Sequence, residues 1–71
     1  MTIQVNGEVC EFDAELSLDE VVKELSLPAE RIAVEVNGQV ISRRQWPATI
    51  VKDGDRLEIV HFVGGGSEIR P

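Results

Sequence analysis

Two stretches of this chain alternate hydrophobic and polar residues on either side of an Asn-Gly dipeptide, and each predicts a β-hairpin. The first, "TIQVNGEVCEF", turns at Asn6-Gly7, and the second, "IAVEVNGQVI", turns at Asn37-Gly38. Asn-Gly is typical of the type I′ turn, because both central residues of that turn have a positive φ. The similarity of "VNGEV" and "VNGQV" indicates two turns of one type and not a repeat architecture.

The segment "SLDEVVKEL" predicts an amphipathic α-helix between the two hairpins. Ser17 and Glu20 have the spacing of a capping box, in which each side chain accepts a hydrogen bond from a free N–H group of the first turn. Apolar residues recur at i, i+3, i+4 and i+7, which places on one helical stripe Leu18, Val21, Val22 and Leu25. Pro28 excludes a simple continuation of this helix.

The last third of the chain predicts an irregular segment followed by one long strand. "SRRQWPATIVKDGD" has no clear period, with at most one short helical turn before Pro47, and its "DGD" is typical of a turn. Trp46 in this segment is expected to pack with its indole N–H near the surface. "RLEIVHFV" is rich in branched and aromatic residues, as strands are.

This order of elements predicts a two-layer α+β domain: a mixed sheet of four or five strands with one main helix packed on one face. The sheet residues expected beneath the helix are Ile3, Val5, Val34, Val36, Leu57 and Ile59, together with Cys10 and Phe12 of the first hairpin. Because neighbours along a strand point to opposite faces, Val60 and Phe62 should lie on the other, open face. Exposed apolar residues on a small protein often mark an interface, so these two are candidates for partner docking.

Composition limits the functions that such a domain can have. The 71 residues, 42% of them hydrophobic and 28% charged, are typical of one globular domain. A chain of this size buries only about 60% of its unfolded surface, which leaves no room for a deep active-site cavity. The net charge of -6 argues against nucleic acid and anionic membranes as partners and favours a basic protein. A single cysteine, with no signal peptide or membrane-spanning stretch, predicts a cytoplasmic protein.

Residue types that carry catalysis are too few here to predict an enzyme. The chain has one His and one Cys, no Cys-x-x-Cys and no phosphate-binding loop, so neither a nucleophile–base pair nor a metal site is indicated. His61 is expected to be a packed or hydrogen-bonded strand residue, and Cys10 a small hydrophobic residue of the core. Arg43 and Arg44 are expected to be solvated, although both are also suited to an acidic group on a partner.

Three glycines, Gly64, Gly65 and Gly66, follow the last strand and have two interpretations. The simpler one is a flexible linker or a frayed end. The other is a reactive chain end, because a backbone without Cβ enters a narrow channel and leaves its terminal acyl carbon open to attack. We therefore predict a domain at residues 1–63, a flexible glycine tail at residues 64–66 and a short extension at residues 67–71.

The sequence resembles the ThiS family of sulfur carriers, which serve thiamine biosynthesis and have the ubiquitin-like β-grasp fold. The resemblance covers nearly all of residues 1–66, and its most specific parts are "NGQVISRRQW" and "DGDRLEIVHFVGGG". It implies that the carboxylate of Gly66, or alternatively of Gly65, is adenylated by an E1-like, ATP-using enzyme of the ThiF type. Sulfur from a cysteine desulfurase or related donor then replaces AMP, which leaves a thiocarboxylate on the glycine. A thiazole synthase of the ThiG type takes the sulfur from this thiocarboxylate. The carrier itself is expected to hold no tightly bound cofactor, since the partner uses the ATP.

The chain departs from the family pattern after the glycines, because Ser67 and four further residues follow Gly66. The peptide bond at Gly66 leaves no carboxylate there to adenylate. We favour cleavage of the Gly66–Ser67 bond by a processing protease; alternatively, the five residues are left by cloning, or the protein has lost the carrier role. Two alternatives to a thiamine carrier stay open: a carrier for molybdopterin, cysteine or a secondary metabolite, and a β-grasp module that only binds a partner.

Overall fold

Residues 1–62, which the computed structural model describes, contain one α-helix and seven strands. The strands are β1 (Thr2–Val5), β2 (Glu8–Glu11), β3 (Leu16–Ser17), β4 (Ile32–Val36), β5 (Gln39–Ile41), β6 (Ile50–Val51) and β7 (Arg56–His61). The α-helix, α1, spans Leu18–Glu24, and two 3₁₀-helices span Ala29–Arg31 and Arg43–Ala48. The predictions for residues 63–71, which include Gly64, Gly65, Gly66 and Ser67, lie outside the described residues.

Five of the strands form one mixed sheet in the order β2-β1-β7-β4-β5. β1 and β7 are parallel, whereas the pairs β1–β2, β4–β5 and β4–β7 are antiparallel. This confirms the predicted α+β architecture, with five strands and α1 on one face. β7, the last strand in sequence among residues 1–62, is therefore the central strand of the sheet.

A second, two-stranded sheet pairs β3 with β6, and the sequence did not predict it. The segment before β7, expected to be irregular with one short helical turn before Pro47, contains that turn as the 3₁₀-helix Arg43–Ala48, which continues through Pro47, and also the unexpected strand β6. Each strand of this pair has only two residues, too few for an alternating pattern to be recognised. The backbone N–H of Leu18 also donates to the carbonyl of Thr49 at 2.7 Å, so this small sheet is joined to the start of α1.

Both Asn-Gly turns have the predicted geometry. Asn6 and Gly7 have φ of 51° and 84°, and Asn37 and Gly38 have φ of 52° and 85°. Positive φ at both central residues is the property of the type I′ turn, whose twist matches that of the flanking strands. The hairpins β1–β2 and β4–β5 are thereby confirmed.

The predicted capping box begins α1. The backbone N–H of Glu20 donates to Ser17 Oγ at 3.1 Å, and the backbone N–H of Ser17 donates to Glu20 Oε1 at 2.8 Å. Two N–H groups of the first turn, which have no partner within the helix, are satisfied in this way.

α1 ends in a Schellman motif built on a residue other than glycine. The N–H of Ser26 donates to the carbonyl of Lys23, and the N–H of Leu27 donates to the carbonyl of Val22. This pattern needs a left-handed residue after the cap, and Ser26 has a φ of 56°. The conformation is unfavourable for a residue with a Cβ.

The hydrophobic core lies between α1 and the inner face of the sheet. Its buried residues are Ile3, Leu18, Val21, Val22, Ile32, Val34, Trp46, Val51, Leu57 and Ile59. Predicted core residues at the margin of the helix and sheet are half-buried against this cluster: Val5, Cys10, Phe12, Leu25 and Val36.

Trp46 packs as expected, but the expectation that its indole N–H lies near the surface is wrong. The side chain is only 1% exposed, and Nε1 donates to the carbonyl of Ile41 at 3.0 Å. The 3₁₀-helix turns the ring inward beneath the sheet edge, where a backbone carbonyl of β5 replaces water as the acceptor. A tryptophan N–H can be buried at low cost when it finds such a partner.

We expect Ser26→Gly to stabilise the protein by about 0.5–1 kcal/mol, because glycine adopts the left-handed conformation without the Cβ penalty. Ser26→Ala, which keeps a Cβ, is the matched control and should give no such gain. The measurement is the free energy of unfolding from urea titrations of the three proteins. Equal stability of the Gly and Ala variants would contradict this interpretation.

We expect Leu25→Ala to destabilise the protein by about 2 kcal/mol, the lower end of the range for buried leucines, because Leu25 is only half-buried. Val9→Ala on the exposed face of β2 should change the free energy of unfolding by less than about 0.5 kcal/mol. Urea titration measures both, and a loss below that level for Leu25→Ala would place its side chain outside the core.

Candidate functional site

The strand that leads to the glycine run, β7, is held unequally along its two edges. On one edge it pairs with β4 from Leu57 to His61. On the other edge it pairs with β1 only at Arg56 and Leu57. The second half of β7, from which the chain leaves the sheet, therefore has a neighbouring strand on one side only.

The side chain of Asn6 extends the shorter pairing by one step. The backbone N–H of Asn6 donates to the carbonyl of Leu57 at 2.9 Å, as the parallel ladder requires. The backbone then turns away, and the carboxamide reaches Ile59: Oδ1 accepts from the Ile59 N–H at 2.7 Å, and Nδ2 donates to the Ile59 carbonyl at 3.2 Å. The carboxamide thus meets β7 as the next peptide group of β1 would have done.

Asn37 makes a similar contact at the opposite end of β7. Its backbone N–H donates to the carbonyl of Arg56 at 2.7 Å, and its Oδ1 accepts from the Arg56 N–H at 2.9 Å. Its Nδ2 donates to Asp55 Oδ1 at 3.0 Å. Each Asn-Gly turn therefore extends one side of β7 with a side-chain amide.

An apolar patch lies on the outer face of the sheet beside the end of β7. Val60 is 40% exposed and lies opposite Ala33, and Val40 on β5 is 67% exposed. Phe62 is half-buried, and with Ala33 and Val40 it lines a shallow cleft of about 380 Å³ that reaches Trp46. We call Ala33, Val40, Val60 and Phe62 the outer-face patch. The structure places the two predicted docking residues, Val60 and Phe62, in it.

Acidic side chains border this patch. Glu58 and Glu35 lie directly opposite each other on β7 and β4, next to the Ala33–Val60 pair. Neither forms a salt bridge with another residue of the described chain, whose one ion pair joins Lys23 and Asp19 on α1. Arg43 also lines the cleft of the patch. The patch is therefore suited to a partner surface that combines apolar residues with basic groups facing Glu35 and Glu58 and an acidic group facing Arg43.

The single cysteine and histidine do not come together. Cys10 lies opposite Ile3 on the edge hairpin and is half-buried, whereas His61 is exposed and lies opposite Ile32. Among residues 1–62, no three His, Cys, Asp or Glu side chains are grouped as metal ligands would be. No helix in this part of the chain has both the length and the apolar character to cross a membrane.

Sequence reasoning assigned Asn6 and Asn37 a role in turns and missed their bonds to β7. The preference of Asn for positive φ explains the turn without any contact from its side chain. The reach of each carboxamide depends on which strand lies beside the turn, and that is a property of the sheet order. The sequence contains no local signal for it.

Comparison with known proteins connects this geometry to one family. The model of the ThiS family matches residues 3–66 of the chain. The crystal structure of a thiamine biosynthesis protein (ThiS) from Geobacter metallireducens superposes with a TM-score of 0.82 at 40% identity, covering 93% of this chain and all of that one. The sulfur carrier protein ThiS of Escherichia coli is 29% identical over 66 residues, which are 93% of this chain and all of that protein.

A longer relative contains a similar segment. A thiazole synthase of Paramagnetospirillum magneticum is 37% identical over 68 residues, which are 96% of this chain. The chain spans only about a fifth of that relative's length. The similarity therefore concerns one segment of the thiazole synthase and not the whole protein.

Proposed function

Because this chain belongs to the ThiS family, we propose that it is a sulfur carrier for thiamine biosynthesis whose Gly66 is adenylated and converted to a thiocarboxylate. The observation that carries the proposal is the extent of the family match, which includes β7 and runs through the last glycine of the run. The fold supports it, since β7 is the central strand and leads directly towards those glycines.

The proposed chemistry divides the work between the carrier and its partners. A carboxylate is a poor electrophile, so an E1-like enzyme of the ThiF type first converts it with ATP into an acyl adenylate. The persulfide sulfur of a cysteine desulfurase or a related donor attacks the acyl adenylate and displaces AMP. A second thiol then reduces the resulting acyl disulfide, which releases the thiocarboxylate and forms a disulfide. A thiazole synthase of the ThiG type takes the sulfur from the thiocarboxylate, and the glycine returns to a carboxylate. Two easier steps replace one difficult exchange. The carrier supplies no catalytic residue in this scheme, and it works in the cytoplasm with these partners.

The length of chain beyond the sheet limits where the activating enzyme can bind. Gly66 is four residues after Phe62, and four residues of extended chain span at most about 14 Å. The adenylation site must therefore lie within that distance of Phe62, the residue that follows β7. The outer-face patch is next to this point, which supports Val60 and Phe62 as docking residues for the E1-like enzyme. Its acidic border, Glu35 and Glu58, favours basic residues on the enzyme.

We expect the chain ending at Gly66 to be active and the chain that continues to Pro71 to be inactive, because adenylation needs a free carboxylate on the glycine. The test incubates each version with the ThiF-type enzyme, ATP and a sulfur donor, in the absence of protease. Intact-mass measurement should show the adenylate and the thiocarboxylate only on the shorter version. All of residues 1–62 are present in both, so the described fold is the same.

A version ending at Gly65 tests which glycine carries the reactive carboxylate. It should be adenylated less well than the version ending at Gly66. The mass of the protein from its native host should correspond to cleavage after Gly66. Equal sulfur loading of the longer chain, verified intact after the reaction, would contradict the cleavage proposal. Absence of adenylate on every version would contradict the carrier function itself.

We expect Phe62→Ala to raise the Kd for the ThiF-type enzyme about tenfold and Val60→Ala to raise it less, because a few large residues carry most of the binding energy of an interface and valine is seldom one of them. Val9→Ala is the matched control, since Val9 is 65% exposed on the same sheet face but lies on the distant edge strand β2. Calorimetric titration of the chain ending at Gly66 gives the three Kd values. Unchanged affinity for both patch variants, or an equal loss for Val9→Ala, would exclude the outer-face patch as the docking surface.

A further inference from the structure

We propose that Asn6 is a positioning residue for sulfur loading, which fixes the exit end of β7 and so sets where the glycine run enters the activating enzyme. This inference rests on the proposed carrier function and adds a residue outside the glycine run and the outer-face patch. It is carried by the two hydrogen bonds of the Asn6 carboxamide to Ile59.

The two bonds define the orientation of the carboxamide. Oδ1 faces the Ile59 N–H and Nδ2 faces the Ile59 carbonyl, so the reversed orientation would place donor against donor and acceptor against acceptor. The Ile59 residue is only 7% exposed, and a buried peptide group without partners is costly. Among the described residues, Asn6 is the one that meets both groups of Ile59 on this edge.

Loss of these bonds leaves the end of β7 attached to the sheet on the β4 side alone. Phe62 lies three positions after Ile59, a distance of about 10 Å in an extended chain. A tilt of about 10° in this segment would move Phe62 by about 2 Å, and misplacement by about 1 Å can reduce a catalysed rate a hundredfold. The start of the glycine run and the docking residues would be displaced together.

Asn37 provides a matched control within the same chain. It has the same turn geometry and also bonds to the backbone of β7, but at Arg56, which is the entry end of the strand. Asn6→Gly and Asn37→Gly both keep a turn with positive φ, because Gly-Gly is accepted in type I′ turns. The two variants therefore remove similar side-chain bonds and differ in their distance from the exit.

The experiment compares both variants in the chain ending at Gly66, at a temperature well below either unfolding transition. Amide hydrogen exchange at Ile59 should be about tenfold faster in Asn6→Gly than in Asn37→Gly, the factor expected for the loss of about 1.4 kcal/mol of local hydrogen bonding. The kcat/KM for adenylation by the ThiF-type enzyme should fall about tenfold in Asn6→Gly and less than about twofold in Asn37→Gly.

Asn6→Asp is a second variant at the same position, and it separates the effect of the lost hydrogen bonds from that of a folding defect. Asp-Gly also forms type I′ turns, and the new carboxylate keeps the acceptor for the Ile59 N–H, whereas its second oxygen faces the Ile59 carbonyl as acceptor against acceptor. Its exchange rate at Ile59 and its kcat/KM should both lie between those of the wild type and Asn6→Gly. A purely structural role would instead make kcat/KM independent of the Ile59 exchange rate once all variants are folded.

Equal kcat/KM for the two Gly variants, or wild-type kcat/KM in Asn6→Gly despite faster exchange at Ile59, would overturn the positioning role while leaving the carrier function intact. Slow exchange at Ile59 in Asn6→Gly would overturn the role of the carboxamide itself. If the wild-type chain ending at Gly66 is not adenylated at all, the carrier function fails, and the positioning role fails with it.

Discussion

The arrangement of the whole domain depends on the backbone of β7 being hydrogen-bonded on both of its edges. β7 is the last strand in sequence, yet β1 and β4 flank it, so the sheet closes only when the final segment inserts between the two hairpins. Each hairpin also contributes an Asn side chain to β7, at Ile59 from one side and at Arg56 from the other. The position at which the chain leaves the sheet is therefore determined in part by a residue 53 positions away from Ile59 in sequence, Asn6.

Size determines which surface remains for a partner. One short α-helix covers one face of a five-stranded sheet, and the inner residues of β7, Leu57 and Ile59, are buried beneath it. The opposite face has no layer on it among residues 1–62, which is why Val40 and Val60 remain exposed. A second layer would need a longer chain, because small domains bury a smaller fraction of their surface. The small size of the domain thus leaves an apolar surface next to β7, the strand that leads to the glycine run.

The parts of the fold that local chemistry determines could be predicted from the sequence. The two Asn-Gly turns, the Ser17–Glu20 capping box and the helical stripe each follow from the residues themselves. The β3–β6 pair, the inward indole of Trp46 and the contact of Asn6 with Ile59 could not be predicted, because each depends on which distant segments lie side by side. Strand alternation placed Val60 on the outer face, where it is exposed, because β7 is regular at that point. Phe62 lies beyond the end of β7 and is half-buried, so alternation along the strand does not decide its side.

A rigid exit strand has a thermodynamic consequence for a carrier that inserts its chain end into a partner. Ordering the backbone of one residue costs about 1–2 kcal/mol, and glycine loses more conformational freedom than any other residue. Residues through Phe62 are already held by the sheet, with Phe62 itself donating its N–H to the Arg31 carbonyl at 2.8 Å, so the partner does not have to order them. If the Asn6 contact to Ile59 were absent, part of β7 would add to that cost. For the proposed carrier function, a β7 that is already hydrogen-bonded within the sheet therefore adds no ordering cost of its own when the partner binds the chain end.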